Sequence, residues 1–324
     1  MRLERVSVIG AGAWGTALAQ AAAMAGRTVT LVARDRAVIE EINQRSTNAA
    51  HLGDLRLSER LAALDHLDAA ADLVILAVPA QASRAALLSV GAEKLAGKPV
   101  VLSAKGLETG TLKRQSEVLA DIAPAAIPFV LSGPSFAVDV AAGRPTAVTL
   151  AGDDADQAAA VAASLAGPAF RPYASDDRIG VELAGALKNV YALACGAVDG
   201  AGLGASARSG LIARGYAELS RVVVAMGGSA ATLTGLAGLG DLTLSCTSSQ
   251  SRNYRHGMAL GRGEAPLPDV LAEGVATAPV AQGMAQRLGI DVPLIDAVNL
   301  LLEGRARIDE IVANLMSRPL KREG

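Results

Sequence analysis

Nothing in the chain restricts its fold more than the stretch "VSVIGAGAWGTALAQAAAMAG", residues 6 to 26. A β-branched run leads into Gly10, Gly12 and Gly15, and an Ala-rich helical segment follows. In this arrangement the first glycine permits a tight turn, the second lets backbone approach a pyrophosphate, and the third lets the helix pack closely on the strand. Unpaired N–H groups at the helix start then face phosphate oxygens. The turn is therefore expected to hold a dinucleotide, with Gly10, Gly12, Ala13, Trp14 and Gly15 as its cofactor positions. A tight turn without a ligand is the alternative. Trp14, the only tryptophan, either packs against a cofactor or closes the turn.

The next β-branched run ends "LVARDRA". An acidic residue at such a strand end suits the ribose hydroxyl of NAD, whereas an arginine suits the 2′-phosphate of NADP. Arg34 stands where this strand leaves the sheet, with Asp35 and Arg36 behind it, which favours NADP(H) without excluding NAD(H). A solvated turn is the alternative reading of Arg34.

The rest of the first half repeats the pattern. "RVSVIG", "TVTLVA", "DLVILAVP", "PVVLSAKG", "IPFVLSGP" and "TAVTLAG" lack polar alternation, as strands covered on both faces do, and helical segments separate them. This is the βαβ order of an α/β, doubly wound parallel sheet. "FRPYASDD", residues 170 to 177, is one more strand or a connector. From Ile179 onward helical periodicities dominate, broken by glycine-rich joints. The expected division is a Rossmann-type domain over residues 1–177 and an all-helical domain over 178–324. "GLAGLGDL" in the second half has no strand leading into it, so its glycines are expected to serve turns and close packing.

With 30 basic and 32 acidic residues among 324, the chain lacks the basic excess that advertises nucleic-acid or anionic-membrane binding. Its opening "MRLERVSVIG" has no signal-peptide pattern, and no uninterrupted apolar run reaches the ~18 residues of a membrane span. Cys195 and Cys246 are too few for a disulfide framework and lack metal-ligand spacing, so no metal is expected. These features suggest a soluble cytoplasmic protein.

Two lysines stand out. Lys105 follows the run "PVVLSAKG", and in open α/β sheets ligands bind beyond the carboxyl ends of strands. In "VELAGALKNVYALACGAVDG", residues 181 to 200, Lys188 shares a helical stripe with Val181, Ala184, Gly185, Ala192 and Cys195. Small neighbours would let a ligand come close, and a lysine so desolvated can exchange a proton near neutral pH. A lysine carrying its ammonium to the surface is the alternative. Gly133, Pro134 and Ser135 build a turn into a helix near Phe136, a setting that offers N–H groups and a hydroxyl to a polar ligand. Farther on, Ser251, Arg252 and Asn253 form a group suited to a phosphate, and Asp241 could hold an ammonium or a substrate hydroxyl.

Six segments in this order, "GAGAWGTALA", "SAKGLE", "SGPSFA", "ELAGALKNVYALACG", "GLAGLGDLTLSCTSSQSRN" and "AEGV", resemble the NAD(P)-dependent glycerol-3-phosphate dehydrogenases of the bacterial cytoplasmic type over most of the chain. The resemblance implies a helical domain like the C-terminal domain of 6-phosphogluconate dehydrogenase, a site at the domain junction, and reduction of dihydroxyacetone phosphate to sn-glycerol 3-phosphate for glycerophospholipid synthesis. It implies Lys188 as proton donor and acceptor, and Lys105 as a second catalytic lysine touching cofactor and substrate. Gly133, Ser135, Asp241, Ser251, Arg252 and Asn253 are implied as further substrate contacts. Trp14, Arg34, Ala137, Arg252 and Glu273 are implied as cofactor contacts, and a homodimer as the assembly. "STNAAHLGDLRL", residues 46 to 57, departs from the family's usual asparagine and aromatic, so His51 is assigned no role. A β-hydroxyacid or 6-phosphogluconate type dehydrogenase fits "SRN" and "SGPSFA" poorly. A nicotinamide-sensing regulatory protein would have no need of either lysine.

Overall fold

A computed structural model of the chain describes residues 3–264 and 271–319. Its first half is one sheet of strands β1 (Arg5–Ile9), β2 (Thr28–Val32), β3 (Leu61–Leu64), β4 (Leu73–Leu76), β5 (Pro99–Leu102), β6 (Ile127–Ser132), β7 (Thr146–Ala151) and β8 (Phe170–Ser175), in the order 3-2-1-4-5-6-7-8. Helices α1 (Ala13–Met24), α2 (Arg36–Arg45), α3 (Ala49–Leu52), α4 (Ser83–Val90), α5 (Ala92–Leu95), α6 (Gln115–Ile122), α7 (Ala137–Ala141) and α8 (Ala155–Leu165) accompany it. The central register places Val8 between Leu31 of β2 and Ile75 of β4, and all three are essentially inaccessible. Each such side chain stabilises by about 1.5–3 kcal/mol.

The sheet is parallel except at one seam, where β7 runs antiparallel to β6. The sequence pattern, which suggested a parallel sheet throughout, carries no mark of direction. Two other elements depart from or resolve the sequence reading. "FRPYAS" is a strand, the parallel partner of β7. Strand β3, "LAAL", was not foreseen, because four residues of Leu and Ala lack the β-branched signal. Its outer side meets the Asn43 side-chain amide, which accepts from Ala63 N at 2.8 Å and donates to Ala63 O at 2.9 Å. The amide thus mimics a neighbouring peptide and covers part of a sheet edge.

The second half is helical: α9 (Arg178–Gly200), α10 (Ala205–Ala225), α11 (Ala230–Leu233), α12 (Asp241–Thr247), α13 (Arg252–Gly261), α14 (Glu273–Leu288), α15 (Pro293–Leu302) and α16 (Ile308–Met316). Helix α9 is its axis, buried from Gly180 to Val198. Among the described residues it is the one helix with the length and hydropathy of a membrane span, and 94% of that stretch lies inside the fold. Glu182, Lys188 and Asn189 interrupt the apolar run, which is why the sequence shows no unbroken span. Helix α13 crosses α9 backbone to backbone. A Cβ added at Gly196 or Gly200 would stand 2.0 or 2.2 Å from the carbonyl oxygens of Tyr254 or Met258. Reciprocally, one at Gly257 or Gly261 would stand 2.0 or 2.1 Å from those of Leu193 or Ala197. Glycines four apart on both helices thus allow the two backbones to touch, with no room for a side chain between them. "GLAGLGDL" forms a π-helical turn at Leu236–Gly240, with Gly238 pressed against the Leu233 backbone.

Candidate active site

The glycine-rich turn divides its tasks by geometry. Gly10 has φ 110°, and a Cβ there would stand 2.8 Å from the Ala77 carbonyl oxygen at the end of β4. One at Gly15 would collide with the Gly10 carbonyl at 1.8 Å, so α1 can rest on the turn only without a side chain. At Gly12, the N-cap of α1, an added Cβ would meet nothing within 4 Å. Two glycines close the turn and the third leaves an open face, the cradle that a pyrophosphate needs. Ala13 and Trp14 open α1, and the indole Nε1 of Trp14 is buried without a partner among the described residues. Arg34, just beyond β2, is exposed and makes no ion pair among the described residues. Asp35 and Arg36 are occupied, the former accepting from Ala37 N at 2.9 Å to cap α2, the latter 3.7 Å from Glu40.

Beyond the strand ends, the two lysines meet on one carboxylate. Lys188 Nζ, on the buried face of α9, donates to Asp241 Oδ1 at 2.8 Å and to Ser245 Oγ at 2.6 Å. Lys105 Nζ, after β5, donates to Asp241 Oδ2 at 2.8 Å and to the Gly133 carbonyl at 2.8 Å, and lies 5.9 Å from the centre of the Trp14 ring. Lys188 and Asp241 are nearly inaccessible, and the Lys105 side chain is 15% exposed. Burial pushes Lys105 down to about 8; the neighbouring Lys188 charge adds to that, and Asp241 opposes it. For Asp241, burial works to raise the pKa, but the two ammoniums hold the group below the usual carboxylate range. An unpaired carboxylate this deep would be very unfavourable; here it binds both halves of the molecule through opposite charge.

The remaining sequence-derived candidates surround this cluster at different distances. Ser135 donates to the Gly133 carbonyl at 2.9 Å, and Ala137 is the first residue of α7. Ser251 caps α13, accepting from Tyr254 N at 3.3 Å, which leaves the N–H groups of Arg252 and Asn253 at a helix start facing outward. The Arg252 side chain is exposed. Asn253 is tied into the frame at both ends of its amide. It donates to Asn189 Oδ1 at 2.9 Å and accepts from Gly274 N at 2.9 Å. Asn189 in turn donates to the Lys105 carbonyl at 2.7 Å, so the start of α13 and the loop after β5 share one hydrogen-bond chain. Glu273 opens α14 and accepts from Ala80 N at 3.0 Å in the sheet half, with its other oxygen against Gly106. Burial raises its pKa, offset in part by the Ala80 amide and by Arg252. Arg34 stands apart from this cluster, at the end of another strand.

Ser245 and Asn189 were not singled out from the sequence. A signal existed for both: Ser245 lies four residues after Asp241, on the same helix face, and Asn189 directly follows Lys188. No group of three or more His, Cys, Asp or Glu side chains suited to a metal occurs among the described residues.

The family model for the NAD-dependent glycerol-3-phosphate dehydrogenase N-terminus matches residues 5–158, and that for its C-terminus matches residues 177–313. A glycerol-3-phosphate dehydrogenase [NAD(P)+] of Brucella ovis is 50% identical over 98% of this chain and 99% of its own. One from a Bradyrhizobium species is 51% identical over 99% and 98%. The crystal structure of glycerol-3-phosphate dehydrogenase from Coxiella burnetii superposes with a TM-score of 0.89 at 35% identity, covering 97% of this chain and 99% of that one. With both halves matched in order and half of all residues shared along the full length, the chain belongs to the NAD-dependent glycerol-3-phosphate dehydrogenase family.

Proposed function

We propose that the chain reversibly reduces dihydroxyacetone phosphate to sn-glycerol 3-phosphate with NADPH or NADH, at the junction of its sheet and helical halves. The observation that carries this reading is the pair of lysines on Asp241, one from each half, facing the open end of the sheet. The cofactor fits the turn at Gly10, Gly12, Ala13, Trp14 and Gly15, with Arg34 toward a 2′-phosphate and Lys105, Ala137, Arg252 and Glu273 around its remainder. A reduced nicotinamide held there would supply the hydride for the substrate carbonyl carbon. Lys188 Nζ donates a proton to the carbonyl oxygen in reduction and takes it back in oxidation, while Asp241 and Ser245 hold its ammonium in place. Lys105 adds positive charge where the oxygen gathers negative charge.

The substrate phosphate is assigned to the start of α13. Arg252 offers its guanidinium, and Arg252 and Asn253 offer backbone N–H groups, since the Asn253 side chain is spent within the frame. Ser251, Gly133 and Ser135 complete the substrate wall. Holding the phosphate fixes the carbonyl beside Lys188, so remote binding serves the chemistry. We place the division between the halves at Asp177, which caps α9 through Gly180 N. The protein works in the cytoplasm, supplying the glycerophosphate backbone of phospholipids, and assembles as a homodimer through its helical half, where Leu203, Val224 and Met316 are exposed.

The deciding experiment follows loss of reduced-nicotinamide absorbance on adding dihydroxyacetone phosphate, with unphosphorylated dihydroxyacetone as control. Oxidation with the phosphorylated ketone alone is expected. Tight NADPH binding without turnover would instead make the protein a sensor of the cofactor.

A further inference from the structure

Asn48 sits at the N-cap position of α3, where an asparagine side chain ordinarily accepts from the first turn of the helix. Here it makes no such bond. Glu41 of α2 takes the task, its Oε1 accepting from Ala49 N at 2.8 Å and from the Thr47 hydroxyl at 2.7 Å. Thus released, the Asn48 side chain turns inward to 0% exposure, and Nδ2 donates to the Ala11 carbonyl at 3.0 Å and to Thr16 Oγ1 at 2.8 Å. Both acceptors belong to the glycine-rich turn and the helix it starts. The Asn48 Oδ1 atom is buried with no hydrogen-bond partner among the described residues, an arrangement with a real cost for an amide whose donors were needed only for packing.

The direction of the bond to Ala11 matters. In a trans peptide the carbonyl and the N–H of the next residue point opposite ways, and the chain has no cis peptide among its described residues. Clamping the Ala11 carbonyl toward Asn48 therefore turns the Gly12 N–H toward the opposite side. We infer that Asn48 is a positioning residue for the dinucleotide turn: it sets the Ala11–Gly12 peptide so that the Gly12 N–H faces a pyrophosphate. The 46–57 segment is then part of the cofactor apparatus through its buried asparagine. This inference rests on the proposed reading of the turn as a pyrophosphate cradle.

The test is calorimetric titration of NADPH into the whole protein and into Asn48→Asp and Asn48→Ala, with circular dichroism to verify folding. Asn48→Asp keeps the shape but removes both donors; Asn48→Ala avoids a buried charge should the first variant not fold. The NADPH Kd is expected to rise at least tenfold, while the KM for dihydroxyacetone phosphate and kcat at saturating NADPH stay within twofold. A folded variant with a Kd within twofold of the parent overturns the inference, whatever its thermal stability, because a packing role alone would lower Tm and spare affinity. A parent protein that does not bind NADPH at all would bring down the reading of the turn itself, and this inference with it.

Discussion

The two halves of the molecule prepare for a ligand by opposite means. The sheet half does so mainly with backbone: Gly10 and Gly15 close a turn and Gly12 leaves it open, with Lys105 beyond β5 as the cation that reaches Asp241. The helical half does so with charge: Lys188 and Asp241 form an ion pair inside the protein, and the carboxylate is shared with Lys105 of the other half. Backbone donors need no counterion and tolerate exposure, whereas buried ions persist only in a closed set of partners. The glycine-rich turn should therefore govern affinity for the cofactor, and the Lys188–Asp241 pair the rate of chemistry.

The largest test of that contrast is Lys188→Ala. Loss of a positioned general acid–base typically costs 10²–10⁴ in rate, so kcat should fall by about 10³ with NADPH affinity nearly unchanged. A parallel loss of cofactor affinity in calorimetry would erase the division of labour. Next comes Gly257→Ala in the α9–α13 crossing. Overpacking commonly costs about 1–3 kcal/mol, and backbone contact at 2.0 Å places this variant at the upper end or above, read as a lower midpoint in urea unfolding.

Glu218 of α10 probes the helical half away from the site. It accepts from Leu294 N and Ile295 N at 3.0 Å each and from Tyr191 OH at 3.4 Å, yet burial raises it from 4.5 to about 7. The native state then binds more protons than the unfolded chain between those values. Stability should decline as pH rises from about 4.5 to 7, by up to roughly 3 kcal/mol from this group. Glu218→Gln should flatten that slope in denaturation series, and an unchanged slope would assign it to other groups. The smallest effect belongs to the sheet half. Arg34→Ala should raise the KM for NADPH about tenfold, the scale of one charge-assisted contact, and leave that for NADH within twofold. Equal effects on both cofactors would remove Arg34 from the 2′-phosphate.

The same contrast explains what could be read from the sequence. The glycine spacing, the β-branched runs and the residues around Lys105 are local patterns, legible without knowing the fold. Lys188 stood out because a lysine is costly on an apolar helix. Its partnership with Asp241 spans 53 positions and depends on how α12 packs on α9, which no spacing encodes. The direction of β7, the edge strand β3 and the inward turn of Asn48 are likewise settled by tertiary neighbours. In β3, pairing with β2 and the Asn43 amide override a weak local preference.

The glycine crossing of α9 and α13 also bears on how this chain can vary over time. Gly196, Gly200, Gly257 and Gly261 each face main-chain atoms, so a side chain placed at any of them has no flexible neighbour to absorb it. Such variants are selected against through lost stability, whatever their effect on catalysis. The axis that carries Lys188 is in this sense closed to neutral drift. Descendants of this sequence are left to diversify on outer surfaces such as the exposed face of α2, where a new side chain points into solvent.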